Sequence, residues 1–117
     1  MAQIFHNDNY NIRAGNSNIV LNRGSEIVLT SIVVIGVNNF GITLTNRPSS
    51  SSPLTSVNIL GSEDNSYYYF IQQNVFPGGV NAGQTLHFEF TTTSHYLQVI
   101  VNTAISATLD VYIVGTP

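Results

Sequence analysis

Apolar and polar residues alternate along most of the chain with the period of two that β-strands show. In residues 86–90, Leu86, Phe88 and Phe90 alternate with His87 and Glu89. The segments 40–44, 97–101 and 109–113 repeat this pattern. Isoleucine and valine, whose branched side chains favour strands, contribute 24 residues. The pattern therefore predicts an all-β fold.

Clusters of turn-forming residues at 23–25, 38–39, 77–79 and 102–103 separate the predicted strands. The Asn38-Asn39 pair predicts a tight hairpin over residues 32–45, because asparagine tolerates a positive φ. Many short strands at this spacing are typical of a sandwich. We expect residues 1–117 to form a single antiparallel β-sandwich, jelly-roll-like, with residues 1–17 as an N-terminal arm or edge strands. The predicted strands are 3–6, 9–13, 18–22, 25–37, 40–45, 55–60, 67–73, 84–90, 95–102 and 107–114.

The apolar face of these strands is the predicted core. Its members are Ile27, Leu29, Val33, Ile42, Leu44, Leu86, Phe88, Val99, Val101, Val111 and Ile113.

The surface is polar but nearly uncharged, since charged residues make up 8% of the 117 residues and lysine is absent. Asparagine, serine and threonine supply 37 residues instead. A net charge of −3 provides no basic surface for nucleic acid. The longest strongly apolar run, residues 32–37, is far shorter than a membrane helix, and the N-terminus lacks a signal-peptide pattern. We expect neither nucleic acid nor a membrane as a partner.

Residues typical of catalytic or cofactor sites do not occur in the required arrangements. The chain has no cysteine, no Gly-x-Ser-x-Gly motif and no glycine-rich phosphate loop. Glu63 and Asp64 are adjacent acids, and their sequence context favours a solvated turn over acid–base catalysis. His6, His87 and His95 are isolated, without metal-ligand spacing. We expect no enzymatic activity, no cofactor and no metal.

Residues 7–11, Asn-Asp-Asn-Tyr-Asn, place oxygen-bearing side chains at alternate positions, as calcium loops do. Asp8 is their only carboxylate, and no glycine or distal glutamate completes such a loop. Hydrogen-bonded asparagine turns account for the stretch with fewer assumptions.

Two segments are apolar on both faces: residues 27–37, apart from Thr30 and Ser31, and residues 67–70. Each is either covered within the chain or buried by a second subunit, because interfaces are enriched in aromatic residues and depleted of charge. Residues 46–53 form a loop with two prolines and four serines, either a plain connection or a segment that reaches a neighbouring subunit. The predicted interface residues are Tyr67, Tyr68, Tyr69, Phe70, Ile32 and Val34.

Residues 21–34, Leu-Asn-Arg-Gly-Ser-Glu-Ile-Val-Leu-Thr-Ser-Ile-Val-Val, combine a glycine turn with a long apolar strand. Residues 68–71 are an aromatic strand, and a glycine turn follows at residues 74–79. Over residues 18–114 this order resembles a family of small β-sandwich structural proteins from tailed-bacteriophage virions, which includes capsid decoration, head-fibre and tail proteins.

The resemblance implies a structural role in the virion as a homo-oligomer, often a trimer. We expect a capsid decoration protein that binds the major capsid protein, stabilises the head and is made in the host bacterial cytoplasm. The alternative is a tail or fibre subunit that binds a tail protein, or a lectin-like domain that binds host carbohydrate through Tyr67, Tyr68 and Tyr69. The low charge agrees with both, because contacts that bury few ions lose little hydration energy.

Overall fold

A computed structural model describes residues 3–8 and 11–117, and every named element in them is a β-strand. Asn9 and Tyr10, which belong to the asparagine-rich segment and to the predicted strand 9–13, lie outside the described residues. The strands are β1 (Ile4–Asp8), β2 (Asn11–Val33), β3 (Asn39–Asn46), β4 (Leu54–Ser62), β5 (Tyr69–Gln72), β6 (Thr85–Thr91) and β7 (Tyr96–Thr116).

All strand pairs are antiparallel, and they form two layers. The five-stranded layer has the order β1-β2-β7-β3-β6 and uses the first part of β2 and the last part of β7. The four-stranded layer has the order β2-β7-β4-β5 and uses the remaining parts of β2 and β7. The predicted fold class, an antiparallel and jelly-roll-like β-sandwich, is therefore confirmed.

The long strands β2 and β7, of 23 and 21 residues, connect the two layers. Strands of globular proteins usually have ~3–10 residues, so strands of this length must bend to stay on one core. Their pairing register shifts at four places along β2. Three of the shifts contain a residue with positive φ, namely Asn18, Gly24 and Ser31. Such bulges bend a strand and increase its twist, which allows β2 to turn from one layer into the other.

The core lies between the layers and is almost entirely aliphatic. In β7 every odd-numbered residue from Leu97 to Gly115 is buried, except Ile105 at the bend. The buried parity of β2 changes instead: Ile12 and Ala14 are buried near its start, Leu21 in its middle, and Ile32 near its end. The two strands therefore differ in which alternate residues face the core, and the bulges in β2 compensate for this difference.

Several predicted turns and one predicted hairpin are wrong. Residues 23–25 and 102–103 continue β2 and β7 rather than ending strands. The turn after β2 lies at Ile35 and Gly36, where Gly36 has a φ of 84°. β3 pairs with β6 and β7 instead of folding back on β2. The turn at residues 77–79 is confirmed, and Gly79 has a φ of 76° there.

Most of the predicted core is buried, but two residues of β2 are not. Ile27 is 55% exposed and Val33 is 39% exposed. Register shifts between Ile27 and Leu29 and between Leu29 and Ile32 break the simple alternation on which the prediction rested. In the edge strand β6, Leu86 and Phe88 are partly buried against the core.

The serine-rich loop is anchored to its own chain. The Ser52 hydroxyl lies 2.7 Å from the Thr103 hydroxyl, and the Ser50 hydroxyl donates to the carbonyl oxygen of Thr108. At the start of the loop, the Arg47 guanidinium forms a bidentate ion pair with Asp110, with Nη2 3.0 Å from Oδ1. Because these contacts all reach β7, the loop closes one side of the sandwich.

Two isoleucines of β2 provide a matched test of its register. Ile32→Ala removes a side chain that is 1% exposed, so we expect a loss of about 2–5 kcal/mol in the free energy of unfolding. Ile27→Ala removes a largely exposed side chain and should cost about 0.5 kcal/mol. Urea denaturation of both variants measures the difference. A larger loss for Ile27→Ala than for Ile32→Ala would contradict the register.

Candidate functional site

The predicted aromatic segment lies at the edge of the four-stranded layer, where β5 begins. Tyr67 is 82% exposed, Phe70 55% and Tyr69 44%, whereas Tyr68 is half-buried. The Tyr68 hydroxyl donates to the side-chain oxygen of Asn65. These four residues are thus largely accessible to a partner.

The turn before this segment is held by Ser62 and Asp64. The Asp64 carboxylate accepts hydrogen bonds from the Ser66 and Tyr67 backbone N–H groups at 2.9 and 3.0 Å. The Ser62 hydroxyl donates to the same carboxylate and accepts the Asn65 N–H. The hydrogen bonds from Tyr67, Ser66 and Ser62 lower the pKa of Asp64 below its ordinary value of 3.8. This carboxylate therefore organises the turn that presents the aromatic segment.

Tyr69 links β5 to the loop before β7. Its hydroxyl donates to Glu63 Oε1 at 2.8 Å and lies 2.7 Å from the Ser94 hydroxyl. The Ser94 hydrogen bond alone would lower the pKa of Tyr69, but partial burial and the bond to the Glu63 carboxylate outweigh it, so the pKa is raised. Glu63 also lies 3.4 Å from Nδ1 of His95. The neighbouring Ser94 hydroxyl is hydrogen-bonded to the hydroxyls of Tyr69 and Thr92. The groups around the Glu63–His95 pair therefore make structural contacts with one another.

The structure corrects the remaining interface prediction, because Ile32 and Val34 lie in the core at 1% and 0% exposure. The bulge at Ser31 sets their side chains inward. The outward side of this part of the chain carries Val33 and, beyond the strand, Ile35, which is 53% exposed.

The outer face of the four-stranded layer has no charged residue among its paired, described positions, and it combines apolar side chains with the uncharged polar residues Ser25, Ser56, Asn58 and Asn102. Ile27 pairs with Ile100, and Val33 pairs with Tyr96. Between these pairs lie Thr30, Gln98, Leu60 and Phe70. We call the surface formed by Ile27, Val33, Phe70, Tyr96 and Ile100 the apolar face. Exposed apolar surface of this kind is typical of sites where proteins associate.

The outer face of the five-stranded layer is different, because rings and polar groups cross it in two rows. We call this surface the ring face. The strand registers align Ile4, Gly15, Tyr112, Thr43 and His87 in the first row, and His6, Arg13, Val114, Gly41 and Glu89 in the second. With neighbouring strands ~4.8 Å apart, each row is ~19 Å long.

Each row contains one glycine, and a neighbouring ring occupies the space that its side chain would fill. A Cβ on Gly15 would lie 2.3 Å from Cδ1 of Tyr112, and a Cβ on Gly41 would lie 2.7 Å from Cε1 of His87. The two rings therefore lie along the sheet instead of standing away from it. Depressions of about 460 Å³ beside Gly15 and about 510 Å³ beside Gly41 open on this face, and both are lined by Val114.

The ring face is not among the sites that the sequence predicts. Two signals pointed to it: Gly41 inside the predicted strand 40–45, where a glycine often marks a close approach, and outward apolar residues at Tyr112 and Val114. Which strands lie side by side depends on topology, and alternation along one strand does not contain that information.

Within residues 3–8 and 11–117 no group of three or more potential metal-ligating side chains occurs. The same residues form no helix long and apolar enough to cross a bilayer.

Comparison with known proteins identifies the fold. No family model matches the chain, and no curated protein matches it in sequence. A chain of the T13 IBDV viral particle is similar with a TM-score of 0.58 and 13% identity, over 92% of this chain and 31% of the viral one. This chain thus spans about a third of that protein. At this identity the similarity shows the fold alone.

Other solved structures are more distant. A Bacillus endospore appendage protein, from a family of disulfide-linked pili, has a TM-score of 0.48 and 11% identity, over 91% of this chain and 88% of its own. A xylan-binding domain from CBM 22 has a TM-score of 0.40 and 15% identity, over 97% of this chain and 81% of its own. The chain is an all-β sandwich domain, and its similarity to tailed-phage virion proteins stays a prediction from sequence.

The turn at Ser62–Tyr67 should depend on pH through Asp64. Because the pKa of Asp64 is lowered, its ionised carboxylate stabilises the turn fully at pH values above the ordinary pKa of 3.8. This stabilisation is lost as the pH falls through the lowered pKa. We expect the amide signals of Ser66 and Tyr67 to move together below pH 3.8 in an NMR titration from neutral pH to about pH 2.

The matched control for this titration is Asp64→Asn, which keeps an acceptor oxygen but cannot ionise. Its Ser66 and Tyr67 amide signals should not titrate with this midpoint. Wild-type midpoints above 3.8 would contradict the assignment of Asp64 as the group that holds the turn.

Proposed function

We propose that this chain is a non-enzymatic structural subunit of a tailed-bacteriophage virion. It associates with copies of itself, as a homotrimer, and decorates the outer capsid surface by binding the major capsid protein. The observation that carries the proposal is the uncharged apolar face, together with the aromatic segment at its edge. The number three and the location on the capsid come from the sequence resemblance.

The apolar face supports self-association because of its composition. Ile27 and Phe70 are each 55% exposed, and Val33 is 39% exposed. Burying these side chains against a second copy removes apolar area from water and desolvates no ion. The adjacent strand β5 is short and lies at the edge of its layer, so a partner can also approach from that side.

The non-enzymatic part of the proposal rests on how the polar side chains are used. Arg47 and Asp110 pair with each other, and Asp64 holds a turn. The Tyr69 hydroxyl, at the start of β5, is hydrogen-bonded to both Glu63 and Ser94. These contacts stabilise loops, which is the role expected in a durable structural protein.

A charge on the apolar face tests self-association. Phe70→Asp should raise the dissociation constant of the oligomer by more than about a hundredfold, because a carboxylate buried without a partner costs several kcal/mol. The same change on a free surface costs little, so the monomer should stay folded. Light scattering and sedimentation at micromolar protein concentration measure the oligomeric state, and circular dichroism measures the fold.

Ile105→Asp is the matched control, since Ile105 is 64% exposed at the bend of β7, away from the apolar face. It should leave the oligomer intact. A wild-type chain that is monomeric, and that does not bind capsids of the phage encoding it at a fixed stoichiometry, would refute the proposed function.

A further inference from the structure

We propose that the ring face binds a neutral oligosaccharide, with sugar units stacked on Tyr112 and His87. This site is separate from the apolar face and from the aromatic segment at residues 67–70. The inference does not depend on the proposed virion role, because the outer faces of the two layers lie on opposite sides of the sandwich.

The rings of Tyr112 and His87 lie over glycines of neighbouring strands and remain accessible. Tyr112 is 48% exposed, and the His87 side chain is 48% exposed. Because Gly15 and Gly41 have no side chains, the two rings lie over the backbone at these positions while about half of each side chain stays exposed. A sugar ring has an apolar side of C–H groups that packs on such a surface, while its hydroxyls remain at the rim.

Hydrogen-bonding groups position the His87 ring and line the depression beside it. Nδ1 of His87 lies 2.9 Å from the Thr43 hydroxyl, and its Nε2 lies 3.6 Å from Glu89. The Thr43 hydroxyl therefore positions the imidazole through Nδ1. Asn39, Thr91 and Thr116 line the depression beside it and offer amide and hydroxyl groups to sugar hydroxyls.

The charge and the shape of the ring face suit a neutral, extended ligand. Arg13 and Glu89 lie in the same row on opposite sides of Val114, so the face has no large region of one sign. A polyanion or a strongly basic peptide would gain little there, whereas a neutral ligand is not repelled. Two shallow depressions that share Val114 suit an extended chain of sugar units rather than an enclosed small molecule.

The test begins with a glycan array that carries neutral oligosaccharides and their sulfated and sialylated counterparts. Neutral oligosaccharides that bind are then titrated into labelled wild-type protein by NMR. We expect at least one neutral oligosaccharide to bind and to shift amide signals in the two rows of the ring face. Signals of Tyr67–Phe70 should stay in place.

Two variants disturb the site in different ways. Tyr112→Ala removes the ring, and Gly15→Ala keeps every functional group but forces the ring away from the sheet. Both should weaken binding about tenfold or more. Gly78→Ala, whose new methyl group has no heavy atom within 4 Å, and Ile105→Ala, at the bend of β7, are the controls. They should bind as the wild type does, and melting curves of all four verify folding.

Three outcomes would overturn the proposal. They are an array with no neutral ligand, binding confined to acidic glycans, and binding that survives both Tyr112→Ala and Gly15→Ala in folded protein. None of them affects the light-scattering result for Phe70→Asp, so the two proposals fail independently.

Discussion

The antiparallel pairing of β2 with β7 is the interaction on which the rest of the sandwich depends. It runs from the Ile12–Gly115 pair to the Val33–Tyr96 pair and passes through both layers. β1 pairs with β2, while β3 and β4 pair with different parts of β7. β6 pairs with β3, and β5 pairs with β4. Each layer on its own would be a small sheet with one apolar side exposed. The shared pair brings the two apolar sides together around one core.

The predicted burial is confirmed along β7 and wrong at two residues of β2, for one physical reason. Along β7 the odd-numbered residues stay buried through both layers, so local alternation was enough to place Val99, Val111 and Ile113 in the core. β2 bends around this regular partner by inserting bulges, and each bulge can exchange the inner and outer sides. Alternation therefore predicts Ile27 and Val33 in the core. It does not reveal that Ile32 and Val34, which were predicted at an interface, are buried in the core.

The turn signals were misread for a related reason. Gly24 adopts a positive φ inside a continuous strand, although the same conformation often occurs where a chain reverses direction. Which of the two occurs depends on whether the flanking residues pair with another strand, and Gly24 pairs with Thr103 of β7, 79 residues later in the chain. The glycines that shape the ring face pose the same problem. Gly15 and Gly41 come from different strands, and only the register of β7 between those strands brings their rows into line.

The two outer faces differ in chemistry although one strand contributes to both. On β7 the outward residues Tyr96 and Ile100 belong to the apolar face, and Tyr112 and Val114 belong to the ring face. Charged residues of neighbouring strands, Arg13 and Glu89, occur in the ring-face rows, while the paired positions of the apolar face hold none. An uncharged face loses little hydration energy when a protein covers it, whereas a face with fixed polar groups and open rings keeps its hydrogen-bonding capacity in water. Because the faces point in opposite directions, a subunit packed through the apolar face would still present the ring face to solvent. The strand register can thus separate two kinds of contact, because it places Arg13 and Glu89 in the ring face and leaves Glu63 and Asp64 in the turn beside the apolar face.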